Sequence, residues 1–392
     1  MATPPPLTVD IVRDAGRTLV RCGGEEISLV ARTGGGEPMA AGPASDFAAW
    51  LALPLAMRSA RPLHVRGIGS TATVRNARRL SEIWATWLPG HFHAVCVRFD
   101  ETLPPSQLPC DTGEAADADL CFFSGGIDST YTVLRRHREG RRMWLLTVHG
   151  MEYPVADPER FERFVGKTRP LASMCGGHRV FVTTNAYAIY SRHRVTARRA
   201  PIVHGFTLGG AGFLAADRFG DIVMAADCRL DQQFLSHPNA SNTATTLCYD
   251  DGRTRMWPDG DDVTRSDKLS LIVTSPEALA SVTFCVDKAS RPENCGQCEK
   301  CLRTKVMFLV ATGSVPDLFA DVDVPADWLR AFPFDKQASA AFLADVLHTG
   351  ERNGSLGHLP RVDRAWAALN SLRAGGIGSR LRALKTALRP AA

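Results

Sequence analysis

The segment from Leu120 to Ser129 holds the residues best suited to chemistry, because a short apolar run leads into Ser-Gly-Gly-Ile-Asp-Ser. Gly125 and Gly126 let the backbone turn tightly and bring bare N–H groups against an anion. A helix-compatible stretch follows, and the positive end of its dipole also favours binding of an anion. Asp128 would repel a phosphate unless Mg²⁺ lay between them, so it predicts a metal-bridged polyphosphate. An ordinary Gly-Ser turn between two core elements is the alternative interpretation.

Four cysteines toward the C-terminus have the spacing of a metal site: Cys285, Cys295, Cys298 and Cys301. Thiolates at this spacing can converge on one ion, and Gly296 supplies the tight turn that convergence requires. We predict a structural Zn²⁺. An iron–sulfur cluster is the rival, although the fourth Cys-Pro of a ferredoxin-type run is missing. Buried or disulfide-paired cysteines are the other alternative, and disulfides are disfavoured because no signal-peptide pattern is found and we expect a reducing compartment.

The glycine loop resembles the signature of the PP-loop ATP pyrophosphatases, which include asparagine, argininosuccinate and GMP synthetases and several tRNA-thiolating enzymes. The resemblance implies that ATP is cleaved between its α and β phosphates and that a carbonyl oxygen is adenylated, then attacked by an amine or sulfur nucleophile. It also implies a catalytic Asp128 with Mg²⁺. The ATP-binding residues would be Ser124, Gly125, Gly126, Ile127, Asp128, Ser129 and Thr130.

The cysteine group is similar to the zinc site of 7-cyano-7-deazaguanine synthases, which is also followed by an arginine, here Arg303. Upstream, Thr264, Arg265 and Lys268 are similar to an element before the last helix and strand of those enzymes. By this resemblance Arg265 and Lys268 are catalytic and neutralise charge as pyrophosphate leaves. A solvated helix start is the alternative. The likeness covers roughly residues 119 to 312, and, unlike in that family, more than a hundred residues precede the loop.

Composition is that of an ordinary globular enzyme, with 392 residues, 45% hydrophobic and 22% charged. The formal net charge of +5 does not by itself indicate nucleic acid. No apolar run approaches the roughly 18 residues of a membrane span, so we predict no membrane association and expect a cytoplasmic location. The oligomeric state is left open, with a homodimer as one option.

The pattern of elements predicts an α/β fold: a doubly wound parallel sheet of the HUP/PP-loop type, preceded by an N-terminal α+β domain. Between the predicted strands, residues 157–174 and 201–216 are predicted helices. The predicted units are an N-terminal domain (1–110), a linker (111–118), the PP-loop domain with the four-cysteine loop (119–312) and a helical C-terminal region with a basic tail (313–392). Candidate strands of the PP-loop domain are 120–123, 143–148, 178–183, 221–226 and 281–285.

Ligands bind at the carboxyl ends of such strands, which would bring His149, Gly150 and Asp227 to the same crevice. His149 and Gly150 are the predicted adenine edge by the PP-loop resemblance. His149 could also be a general base, but a hydrogen-bonded structural role is the more common one for a single histidine. Asp227 could hold Mg²⁺ or an amine nucleophile, or be an ordinary loop charge. The segment 236–262 is predicted to be a mobile loop that closes over substrate.

The predicted function is therefore an ATP-dependent adenylating enzyme of the C–N bond-forming synthase type, activating a carboxylate or amide oxygen of a small-molecule or macromolecular acyl substrate. A tRNA-thiolating sulfur transferase and a non-catalytic ATP-binding module of a defence or assembly system are the alternatives. The basic tail, 371–390, could contact RNA, but no aromatic residues are interleaved with its charges, which disfavours nucleic acid.

Overall fold

The computed structural model describes residues 4–14, 16–109, 115–196, 203–234, 238–333 and 339–373. Four predicted segments fall wholly or partly outside these residues: the linker at 111–114, the start of the predicted helix at 201–202, the start of the loop at 236–237, and the basic tail from 374 onward. None of the helices in the described ranges is long and apolar enough to cross a membrane.

The described residues form one ten-stranded sheet, in the order β10-β9-β6-β7-β8-β3-β2-β1-β4-β5. Six of its nine neighbouring pairs are parallel, and the three antiparallel ones join β1, β2, β3 and β8. The predicted α/β class is confirmed at this level. The strands are β1 (Leu7–Asp14), β2 (Arg17–Cys22), β3 (Glu25–Thr33), β4 (Leu63–Ser70), β5 (Val97–Leu103), β6 (Asp119–Phe122), β7 (Met143–His149), β8 (Arg179–Thr184), β9 (Ile222–Ala225) and β10 (Met256–Asp259).

Fourteen α-helices are found in the described residues, with four short 3-10 turns between them. The helices are α1 (Asp46–Ser59), α2 (Thr71–Trp87), α3 (Ile127–Arg138), α4 (Pro158–Lys167), α5 (Arg169–Met174), α6 (Ala186–Arg192), α7 (Val203–Phe213), α8 (Leu230–Gln233), α9 (Thr243–Thr246), α10 (Arg265–Ile272), α11 (Pro276–Ser281), α12 (Glu299–Thr312), α13 (Ser339–Arg352) and α14 (Val362–Arg373).

The five strands from β6 onward are all parallel, and their spatial order is third, second, first, fourth, fifth along the chain. This order reverses between β6 and β9, which makes their carboxyl ends a topological switch point, where such sheets bind ligands. Successive residues of β6 pack on opposite faces: Leu120 joins one hydrophobic core and Cys121 the other. Both faces of the sheet are therefore covered, as a parallel sheet requires.

The fifth strand is not where the sequence predicted it. Residues 282–287 have no regular structure, so the prediction of a strand at 281–285 is wrong, and β10 takes the fifth place. β10 contains Pro258, which cannot donate a ladder hydrogen bond and is tolerated because β10 is an edge strand. The other four predicted strands of this part are confirmed, each within a residue or two, as are the helices α4, α5 and α7.

The N-terminal strands continue the same sheet, since β3 pairs with β8 over Leu29–Thr33. Helix α1 was not predicted, because its residues are apolar around the whole circumference and show no helical alternation of apolar and polar positions. It also contains Pro54, which argues against a helix. α7 packs against α1 closely enough that a Cβ on Gly210 would lie 2.2 Å from Leu51 Cγ. The predicted domain boundary near residue 110 stays a prediction.

Candidate functional site

The loop after β6 has the tight turn that its glycines predict. Gly125 has φ +69°, and a Cβ there would lie 2.6 Å from Thr283 Cγ2 and 2.9 Å from Thr168 Cγ2. A backbone hydrogen bond also links the loop to a neighbouring segment, because Thr283 N donates to Gly125 O at 2.8 Å. Glycine is therefore required at this position for both conformation and space.

Hydroxyl groups and free N–H groups line the mouth of this turn. Ser124 Oγ and Ser129 Oγ are 3.2 Å apart, and Ser129 Oγ donates to Gly126 O at 3.1 Å. No side chain caps α3, whose cap residue is Gly126, so the N–H groups of its first turn remain available to an anion. The buried Thr130 hydroxyl has no hydrogen-bond partner among the described residues.

Asp128, in the first turn of α3, is clamped between two cations from α10. Arg265 Nη2 donates to Asp128 Oδ2 at 2.6 Å, and Lys268 Nζ donates to Asp128 Oδ1 at 3.1 Å. Burial raises the pKa of Asp128, but the charges of Arg265 and Lys268 outweigh it and hold the pKa below its usual range. The Lys268 side chain is 0% exposed, and its ammonium also donates to Ala226 O just after β9. The three residues therefore meet at the switch point.

The start of α10 is not a solvated helix end. Thr264 caps it, accepting from Asp267 N, and Asp345 on α13 accepts from Ser266 N at 3.0 Å. Asp345 is 4% exposed and burial raises its pKa. No local pattern in the sequence marks Asp345, because it contacts α10 across a long stretch of chain. It acts by holding the helix that presents Arg265 and Lys268.

Two arginines from α10 and α12 lie beside the same aromatic ring near the crevice. The guanidinium carbons of Arg265 and Arg303 lie 4.7 and 4.8 Å from the ring centre of Phe342. Arg303 is 8% exposed and pairs with Glu299 at 3.3 Å. Burial and the charge of Arg265 lower the pKa of Arg303 to about 10. Burial and the charges of these two arginines also lower the pKa of Lys300, whereas the charge of Glu152 raises it.

Asp227 follows β9 and faces the same crevice. Its Oδ2 accepts from Asn239 at 2.7 Å, whereas its Oδ1 is buried without a partner among the described residues. His204 at the start of α7 contacts Ser241 Oγ at 3.0 Å. Burial lowers the pKa of His204, and the charge of Asp227 opposes that shift. The Asp227 carboxylate and the His204 imidazole are thus close enough for the charge of one to act on the pKa of the other.

His149 and Gly150 lie at the end of β7. His149 is 6% exposed, stacks on Phe161 with ring centres 4.1 Å apart, and its Nε2 contacts Pro154 O at 3.1 Å. Gly150 has φ +112°, and a Cβ there would lie 1.9 Å from Thr184 O. Both residues therefore support the turn after β7; an adenine contact stays a prediction.

The four predicted cysteine ligands are brought together. Their sulfurs all lie within 4.8 Å of one another, with Cys285 to Cys298 at 3.8 Å and Cys295 to Cys301 at 3.9 Å. A zinc ion about 2.3 Å from each of four tetrahedral thiolates would set sulfurs roughly 3.8 Å apart. Burial raises the pKa of Cys298, but backbone N–H donors outweigh it and bring the pKa to about 7. The group could hold a metal ion such as zinc.

The cysteine group also connects to the loop and to the cations. Asn294 accepts from Phe284 N and donates to Val282 O, both at 3.1 Å, so it holds the extended segment that touches Gly125. Cys298 caps α12, the helix that carries Lys300 and Arg303. The cysteine group is therefore placed next to both the segment that contacts Gly125 and the helix that carries Lys300 and Arg303.

Comparison of the chain with family profiles, with curated proteins and with solved structures gave no match.

Proposed function

We propose that the chain is an ATP-dependent adenylating enzyme that forms AMP and pyrophosphate while activating a carboxylate or amide oxygen. The observation that carries the proposal is the placement of Asp128 beside the Ser124–Ser129 loop, paired with Arg265 at 2.6 Å and Lys268 at 3.1 Å. Donors, two cations and one carboxylate around a glycine turn are the groups that binding and cleaving a polyphosphate requires.

In this proposal ATP is a substrate bound by the loop N–H groups and by Ser124 and Ser129. The substrate oxygen attacks the α-phosphorus, the bond to the β-phosphate oxygen breaks, and pyrophosphate leaves toward Lys268 and Arg265. An amine, ammonia or sulfur nucleophile then attacks the activated carbon and AMP departs. The chain supplies orientation and charge neutralisation rather than a covalent nucleophile.

Asp128 fits a magnesium site, because Mg²⁺ in such sites takes one or two carboxylates and completes its shell with phosphate oxygens and water. Mg²⁺ would screen the phosphate charge there. Zn²⁺ is the metal we propose for the cysteine group, since sulfurs within 4.8 Å suit a single ion. An iron–sulfur cluster would bind its cysteines through different irons and so hold them farther apart.

The acyl substrate is proposed to carry an anionic group. Arg303 is nearly buried and pairs with Glu299, and Lys300 lies on the same first turns of α12. An anionic group bound near these two cations would lower the free energy cost of burying their charges. Asp227, whose Oδ1 has no hydrogen-bond partner among the described residues, is the proposed contact for an incoming amine.

The test is the identity of the nucleotide product. The protein is incubated with ATP labelled at the α and γ phosphates, Mg²⁺ and fractions of a small-molecule extract. AMP with pyrophosphate, and exchange of labelled pyrophosphate into ATP, would support adenylation. ADP with phosphate would contradict it. ATP that binds and stays intact with every fraction, including RNA and protein fractions, would favour the non-catalytic alternative.

A further inference from the structure

A buried arginine lies directly behind the glycine loop. Arg179 opens β8 and is 7% exposed. Its Nη2 donates to Thr168 Oγ1 at 3.2 Å, and Thr168 Cγ2 is one of the atoms that crowd Gly125. The guanidinium also faces the ring of Phe123, the residue before the loop, at 5.9 Å.

A second route ties the same side chain to the strand end. Arg179 Nη2 donates to Thr147 Oγ1 at 3.4 Å, and that hydroxyl donates to Phe123 O at 2.8 Å. The ring centre of Phe181 also lies 4.9 Å from the guanidinium carbon. Arg179 is therefore coupled to both ends of the turn that includes Ser124.

The charge of Arg179 has no counter-ion in the part of the chain that the structure describes. Among the described residues it makes no ion pair, and its buried Nε has no hydrogen-bond partner. Burial and the charge of Arg169 lower the pKa of Arg179 to about 10. A buried cation without a counter-ion costs free energy that an apolar side chain of similar length would avoid.

We propose that Arg179 is a positioning residue that places an unpaired positive charge behind the loop, and that a di- or triphosphate anion on the loop compensates it. The inference rests on the proposed anion site at Ser124–Ser129. Arg179 does not contact the anion in this proposal. It acts by holding the loop in place and by the positive electrostatic potential of its charge, which water screens poorly in the protein interior.

Removing the side chain takes one donor away from Val165 O and leaves both threonine hydroxyls with an acceptor. Thr168 Oγ1 also donates to Phe164 O, Thr147 Oγ1 to Phe123 O, and Val165 O, which accepts from Arg179 Nη1, is also within 3.3 Å of Thr168 Oγ1. Arg179→Met should therefore fold and melt within a few degrees of the wild type. The expected change is in anion affinity alone.

The experiment measures pyrophosphate and Mg-ATP binding by calorimetry for the full chain and for Arg179→Met and Arg179→Lys. We expect Arg179→Met to weaken both about tenfold or more, and Arg179→Lys, which keeps the charge, to retain most of the affinity. Arg169→Met is the matched control: it removes the neighbouring, exposed arginine, whose charge water screens.

Equal binding by wild type and Arg179→Met would overturn the inference while leaving the ATP site intact. Equal loss in Arg179→Lys and Arg179→Met would also overturn it, because geometry rather than charge would then matter. A wild-type chain that binds neither ligand would overturn the proposed function itself, together with this inference.

Discussion

Asp128 and Arg265 are 137 positions apart in the chain, yet Arg265 Nη2 donates to Asp128 Oδ2 at 2.6 Å. The pair joins the first turns of α3 and α10 across the switch point of the sheet. Because both side chains are mostly removed from water, the pair is less screened than a surface ion pair and its loss has consequences for both stability and chemistry.

The first prediction concerns Asp128→Asn. AMP formation should fall about a hundredfold or more, because a group that organises the charge of the leaving phosphate is lost. The free energy of unfolding should fall by about 2 kcal/mol, since two cations lose their anion. Product assays and urea denaturation measure the two effects. Asp231→Asn, at a carboxylate that is 61% exposed and paired with Arg229, is the control and should change neither. Unchanged AMP formation in Asp128→Asn would refute its role.

The pH dependence of that stability difference is the second prediction. The pKa of Asp128 is lowered in the folded protein. Its contribution is therefore present above its unfolded pKa of about 4 and is lost as the pH falls through the lower folded value. Urea denaturation at several pH values should show a constant difference between wild type and Asp128→Asn from pH ~8 to ~5 and a shrinking one below ~4. A difference that grows on acidification would contradict the assignment.

Local patterns were enough to predict the loop, the cysteine group and most strands. Gly125, Gly126 and Asp128 are neighbours in sequence, and so are Cys295, Cys298 and Cys301, so spacing alone indicates their chemistry. The strand end, the turn and the helix start are likewise encoded within one short segment.

Long-range contacts could not be predicted in the same way. Asp345 holds α10 from 79 positions away, and Arg179 has no sequence pattern that distinguishes it from an ordinary charged residue at the start of a strand. β10 was missed because Pro258 and its polar neighbours argue against a strand, which only its edge position permits. These features depend on the tertiary fold rather than on local propensity.

The third prediction concerns the metal. Cys298→Ser should lose most of the bound zinc and lower the melting temperature, because α12 begins at this ligand and the segment that ties Gly125 depends on the same group. Metal analysis and thermal melting are the measurements. Cys96→Ser, at an exposed thiol outside the group, is the control. Full metal content with normal melting in Cys298→Ser would rule out a structural site, and visible absorbance with bound iron would favour a cluster instead.

The fourth prediction compares two glycines with the same backbone conformation. Gly125 has φ +69° and Gly140 has φ +70°, but a Cβ on Gly140 would meet nothing within 4 Å, whereas one on Gly125 would lie 2.6 Å from Thr283 Cγ2. Gly140→Ala should cost about 1 kcal/mol of stability from backbone strain and leave nucleotide binding unchanged.

Gly125→Ala should cost more, about 2–3 kcal/mol, and weaken Mg-ATP binding about tenfold or more, because the loop must move away from Thr283 and its N–H groups move with it. Urea denaturation and calorimetric titration of both variants separate the two effects. If both variants bound Mg-ATP equally well, the close packing behind the loop would have no part in forming the anion site, and the phosphate assignment of the Ser124–Ser129 turn would be wrong.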